Sequence, residues 1–211
     1  MVKNIIWDFD GVILDSMPIR EYGFRKIFEE YDKHLVEKLL DFHEKNGGLS
    51  RYVKIRYFFE TLLEEKVTGN KVKKFAEKFS EIMKKELTNK KYLIYESVEY
   101  IQRNYKNYHF HIASGSDEKE LNYLCRELGI AQYFLSINGS PIHKNNLVKN
   151  IIAANEYLRE ETVLIGDSYN DYEAAKVNDI DFYGYNNEAL KEYATGYIES
   201  FQEVEDIVDE K

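Results

Sequence analysis

Two aspartates one residue apart, Asp8 and Asp10, follow directly on the apolar run Ile5-Ile6-Trp7 and lead into Gly11. Like charges that close repel, so a fold that holds both at a strand end needs a reason to do so. A carboxylate in that position can attack a phosphoryl group, and a neighbouring one can move a proton to or from the reacting oxygen. Further polar groups close other apolar runs: Ser114-Gly115-Ser116 after "HFHIA", Asn138-Gly139-Ser140 after "FLSI" and Gly166-Asp167-Ser168 after "TVLI". Ligands of open parallel sheets lie beyond the carboxyl ends of the strands, so these loops are expected to converge on one pocket.

The elements that must position them alternate. Short runs rich in β-branched and aromatic residues, "NIIWD", "YHFHIASG", "YFLSING", "TVLIGD" and "DFYGY", read as strands; helical segments are expected at 95–106, 117–128, 145–157, 171–177 and 187–193. This βαβ rhythm implies an α/β fold with a doubly wound, Rossmann-like parallel sheet. Between the first strand and the rest, apolar residues recur only at three-and-four spacing, as in "IREYGFRKIFEEY", "HLVEKLLDFHEK", "RYVKIRYFFETLLEEK" and "KVKKFAEKFSEIMKKEL". The chain is therefore expected to divide into a doubly wound core domain of residues 1–15 and 90–211 and an inserted all-helical domain of residues 16–89.

Composition bounds the function. The 211 residues carry 29 Lys and Arg against 38 Asp and Glu, a formal charge of −9, which argues against nucleic acid or an anionic membrane as the main partner. The single cysteine, Cys125, excludes an internal disulfide and fits a reducing compartment; its helical surroundings make it a structural thiol. The N-terminal apolar run is too short for a signal peptide, and no window approaches the roughly 18 apolar residues of a membrane-spanning helix. A soluble cytoplasmic protein is the expectation; the oligomeric state is open, and a monomer is compatible with the sequence.

Taken together, these residues resemble the haloacid dehalogenase-like superfamily of phosphotransferases, over nearly the whole chain. Asp8-Phe9-Asp10-Gly11-Val12 matches its first signature, Ser114 the second, Lys144 in "GSPIHK" the third, with Lys149 as an alternative, and Gly166-Asp167-Ser168-Tyr169-Asn170-Asp171 the fourth. The resemblance implies that Asp8 is a nucleophile forming an aspartyl-phosphate. Asp10 is then the general acid and base, its protonated form favoured by the charge of Asp8 and by partial burial. Ser114 and Lys144 bind the phosphoryl group, and Gly11 and Gly115 let backbone approach it. Asp8, Asp167 and Asp171 beside a phosphate outnumber one lysine, and an all-oxygen site suits Mg²⁺. The resemblance gives Asp8, the carbonyl of Asp10 and Asp167 as its ligands, with Asp171 behind them orienting Lys144 or a metal-bound water.

The inserted helices resemble the cap of the phosphoglycolate phosphatase and β-phosphoglucomutase branch, whose Gly-x-Ser-Arg loop reads Gly48-Leu49-Ser50-Arg51 here. Arg51, and after it Arg20, are the candidates for gripping the part of a small phosphorylated metabolite remote from the reacting phosphate. The aromatic residues around them, Tyr22, Phe24, Phe28, Tyr52, Tyr57, Phe58 and Phe59, read as cap core, and none of the five histidines as catalytic. The implied activity is hydrolysis of a phosphate monoester. A β-phosphoglucomutase-type phosphomutase is the alternative within enzymes, and a non-catalytic binding protein on the same scaffold the alternative outside them. Asp10 speaks against a dehalogenase, whose first motif lacks a second aspartate.

Overall fold

A computed structural model describes residues 1–202 and 204. Its sheet has six parallel strands in the order β3-β2-β1-β4-β5-β6: β1 (Asn4–Trp7), β2 (His109–Asp117), β3 (Ser136–Ser140), β4 (Thr162–Gly166), β5 (Asp181–Tyr185) and β6 (Gly196–Ile198). The order reverses at β1, so the crevice at its carboxyl end is the switch point of a doubly wound sheet. All four residues of β1 are buried, as a central strand covered on both faces requires.

Pleating sends successive β1 residues to opposite faces. Trp7 packs among Phe110, Tyr100 of α5 (Tyr95–Asn104) and Phe201, on the face also covered by α6 (Glu118–Glu127). Ile6 joins Leu164 and the apolar stripes of α7 (Lys144–Ala154) and α8 (Tyr169–Val177) on the other.

Between β1 and α5 run four helices: α1 (Met17–Ile27), α2 (Lys33–Lys45), α3 (Arg51–Tyr57) and α4 (Gly69–Glu86). They close around an aromatic cluster in which Phe28 stacks on Phe58 at 4.0 Å and on Phe75 at 5.0 Å. The segments entering and leaving this block lie side by side, with Asp15 N donating to Tyr92 O and Ile94 N to Ile13 O.

Two sequence expectations differ from the fold. The run 51–66 reads as one helix, yet α3 ends at Tyr57 and widens into a π-helical turn, Phe58–Leu62, which keeps both phenylalanines buried before the chain departs at Glu64, φ 55°. Segment 187–193 is a short 3₁₀ turn (Glu188–Glu192), and the three-residue edge strand β6 follows it unannounced.

Candidate active site

The turn after β1 fixes the first carboxylates. Asp8 N continues the ladder by donating to Ile165 O, while Phe9, Val12, Ile13 and Leu14 are fully buried and anchor the loop from below. Gly11 sits at φ 80°, and a Cβ there would lie 1.9 Å from Asp167 Oδ2, so only glycine lets the first and fourth loops touch. Asn186 and Asn187, beyond β5, donate to Gly11 O and Asp167 O at 3.1 and 2.8 Å and hold the two loops in register.

Around this point Asp8, Asp167 and Asp171 each offer a carboxylate oxygen within 4.8 Å of the others. Lys144, the first residue of α7, reaches in beneath them: its Nζ donates to Asp8 Oδ1 at 2.7 Å and also to Asp171. It is buried because Leu147, Val148 and Ile151 dock its helix against the sheet, whereas Lys149 is exposed on the same helix. Asp171 is used up by the protein, since its second oxygen accepts from Ser168 N and Oγ at the start of α8. It therefore both caps that helix and positions Lys144.

Charge in this group is unbalanced. Burial first, and then the charge of Asp171, push the Asp8 carboxyl up to about 7 against the pull of Lys144. Asp167 is raised well above the usual carboxylate range by burial and the charge of Asp8. Among the described residues the Asp167 carboxylate, beside Asp8, has charged neighbours and no hydrogen-bond donor. Burial pulls Lys144 down, but Asp171 and Asp8 outweigh it and hold its ammonium above the ordinary lysine range. One ammonium facing such carboxylates is the setting in which a hard divalent cation fits, and Asp8 and Asp167 are the pair with oxygens to give it.

Asp10 departs from the expectation that it favours its protonated form. Burial does act in that direction, yet the Arg20 guanidinium and hydrogen bonds from Ser116, Ser16 and Arg20 outweigh it and hold Asp10 below the usual range. Arg20 Nε lies 2.7 Å and Ser116 Oγ 2.6 Å from its oxygens, and the hydroxyl of Ser16 completes the shell. Ser116 lies in one of the loops expected to converge here, whereas Ser16 was passed over, because it looks like an ordinary helix-start serine. Ser114 is fully buried, and its Oγ accepts from Ser116 N at 3.0 Å, leaving its own proton to donate.

These groups open into a cavity of about 360 Å³ between the strand ends and the helical block. Gly115 marks where the two bodies meet, since a Cβ on it would lie 2.2 Å from Gly48 O. Arg20 and Arg51 both line the cavity, and both are engaged internally. Arg51 makes a two-pronged ion pair with the fully buried Glu120 of α6, one prong Nη2 to Oε1 at 2.6 Å, and donates also to Ser80 Oγ at 2.7 Å. Arg20 Nη1 reaches the same Glu120 at 3.4 Å. Tyr52 OH, donating to Asp117 Oδ2 at 2.7 Å, adds a second tie from α3 to α6. Glu120, Lys54 and His43 were not legible as site residues, because each reads as one polar position on a helix.

The profile of the haloacid dehalogenase-like hydrolase family matches residues 5–185. A phosphorylated carbohydrates phosphatase of Thermotoga maritima is 24% identical over 186 residues, covering 83% of this chain and 81% of the relative. Among solved structures, a β-phosphoglucomutase of Clostridium difficile aligns with TM-score 0.77 at 17% identity, covering 100% of this chain and 98% of the other. A predicted phosphoglycolate phosphatase of Haemophilus somnus aligns with TM-score 0.74 at 15% identity, covering 99% and 98%. At such identities the structural likeness speaks for the fold, whereas the profile spans most of the sequence and all of its acidic loops. The chain belongs to the haloacid dehalogenase-like hydrolase family.

Proposed function

We propose that this phosphoric monoester hydrolase works through Asp8, whose carboxylate attacks the phosphorus of a small phosphorylated metabolite to form an aspartyl-phosphate. The observation that carries the reading is the ion pair of Lys144 with Asp8 at 2.7 Å beside Asp167, at the base of a cavity of about 360 Å³. That volume suits a substrate of a few carbons and a phosphate.

Each residue has a task. Lys144 orients Asp8 and offsets charge as the phosphoryl group moves. Ser114 donates its hydroxyl to a phosphoryl oxygen. Asp10 is ionised in the free enzyme, which suits the base that takes a proton from the water hydrolysing the intermediate; an arriving phosphate adds negative charge beside it and favours the proton needed to expel the leaving oxygen. Asp8 and Asp167, with the carbonyl of Asp10, would hold Mg²⁺, which when bound supplies a Lewis acid that neutralises the phosphoryl oxygens. Residues 16–89 act as the cap that keeps bulk water away while substrate is bound.

The Thermotoga maritima relative, a phosphorylated carbohydrates phosphatase, supports phosphorylated carbohydrates as the first compounds to assay. The test is a panel of sugar phosphates, phosphoglycolate and nucleotides with Mg²⁺, followed by the fate of label on the enzyme. Release of labelled phosphate to water supports the phosphatase; transfer to a sugar acceptor makes the chain a mutase; no turnover of any ester refutes catalysis.

A further inference from the structure

One buried lysine in the cavity wall makes no ion pair among the described residues. Lys54, on α3, is 2% exposed, and its Nζ donates to His43 Nδ1 at 2.8 Å and to Gly47 O at 3.1 Å. It forms no ion pair among the described residues, whereas Arg20 pairs with Asp10 and Glu120, and Arg51 with Glu120. Arg20 and Arg51 are thus matched by Asp10 and Glu120, and Lys54 is the member of the three without an ion-pair partner among the described residues.

Holding a cation out of water without a partner is costly, so such a group beside a substrate cavity points to a partner that arrives with the substrate. His43 cannot be that partner. Burial, then the charges of Lys54 and Arg20, push its imidazole down to about 2, so it stays neutral and serves only as an acceptor. With Nδ1 accepting from Lys54, Nε2 carries the proton, and among the described residues that buried donor has no hydrogen-bond partner. Lys54 and His43 both line the cavity, and the ammonium keeps a third N–H beyond the two bonds it makes to His43 and Gly47.

We propose that Lys54, held in place by His43, binds an anionic group at the end of the substrate remote from the reacting phosphate, so that the enzyme selects phosphate monoesters carrying a second anionic group, a carboxylate or a further phosphate. This rests on the phosphatase reading. It differs from the expectation for Arg51, whose two terminal nitrogens are held by Glu120 and Ser80. Burial and the charge of Arg20 draw the Lys54 ammonium down to about 7, and an anion beside it restores its full charge.

The experiment compares matched esters with the Mg²⁺-loaded enzyme. For a carboxylate the pair is 3-phosphoglycerate and glycerol 3-phosphate; for a phosphate it is fructose 1,6-bisphosphate and fructose 1-phosphate; p-nitrophenyl phosphate is the control. The wild type is expected to favour the member with the second anionic group in one pair by about tenfold to about a hundredfold in kcat/KM, the scale of one charge-assisted hydrogen bond, and the pair that responds identifies the anion. Lys54→Met is expected to erase that preference through KM while p-nitrophenyl phosphate turnover stays within about threefold. Lys54→Gln, which keeps a donor, guards against a folding defect in the first variant. If p-nitrophenyl phosphate is hydrolysed but neither pair shows a preference, or if both members lose activity equally in the variants, the Lys54 assignment is overturned and the phosphatase stands. If p-nitrophenyl phosphate and all four esters are inert, the phosphatase reading fails and takes this inference with it.

Discussion

Replacing Asp167 by asparagine should make the metal-free protein more stable while destroying its response to Mg²⁺. Two unit charges about 4.8 Å apart repel by about 3 kcal/mol at an effective dielectric near 20, and the Asp8 and Asp167 oxygens lie within that distance. Asp8 itself, pushed up to about 7 by burial and then by Asp171, sets the pH at which that repulsion is switched on. The sign follows from proton binding. A carboxyl whose folded value is raised holds its proton after the unfolded chain has lost its own, so stability falls as the pH climbs from near 4 to near 7 and levels off above. Without metal at pH 8, Asp167→Asn should therefore raise Tm by about 5–10 °C, taking about 2–4 °C per kcal/mol for a chain of this size. By pH 5, where Asp8 keeps its proton, most of that gain should vanish. Adding Mg²⁺ should then raise the Tm of the wild type and leave the variant unmoved. Scanning calorimetry at both pH values, with and without the ion, reads all of this. A variant no more stable than wild type at pH 8, or one stabilised by Mg²⁺ as strongly, refutes the reasoning.

Other outcomes follow from single contacts. Gly11→Ala should abolish activity and metal binding, because its Cβ falls 1.9 Å from Asp167 Oδ2 at a backbone φ of 80°; a phosphatase assay and Mg²⁺ titration check it. Glu120→Ala should cost about 3–5 kcal/mol in urea unfolding, since it strands the buried guanidinium of Arg51 and deprives Arg20 of one partner. EDTA should silence the enzyme, with Mg²⁺ restoring turnover and the larger, irregularly coordinated Ca²⁺ failing to.

The Asp8–Gly11 loop was legible because its signals agree: an apolar run long enough to cross a sheet, two carboxylates and a glycine at the turn. Helical periodicity likewise announced α1, α2 and α4, and no helix among the described residues is long and apolar enough to cross a membrane. What escaped was set by partners distant in sequence. Glu120 belongs to "EKEL", an ordinary acidic helix start, and only the fold carries Arg51, 69 positions away, onto it. The charge state of Asp10 was misjudged for the same reason. Asp8 is visible beside it in the sequence, whereas Arg20 and Ser116 become its neighbours only when α1 and the end of β2 close on the loop. Strand β6 has three residues, one of them glycine, too few to show alternation.

The most direct test is to find where the phosphoryl group rests. Mg²⁺-loaded enzyme turning over a ³²P-labelled ester is quenched in acid, digested and mapped. Hydroxylamine-sensitive label on the peptide containing Asp8, absent from Asp8→Asn along with all turnover, is the predicted result. Label on another side chain, or an Asp8→Asn enzyme that still hydrolyses the ester, contradicts the account.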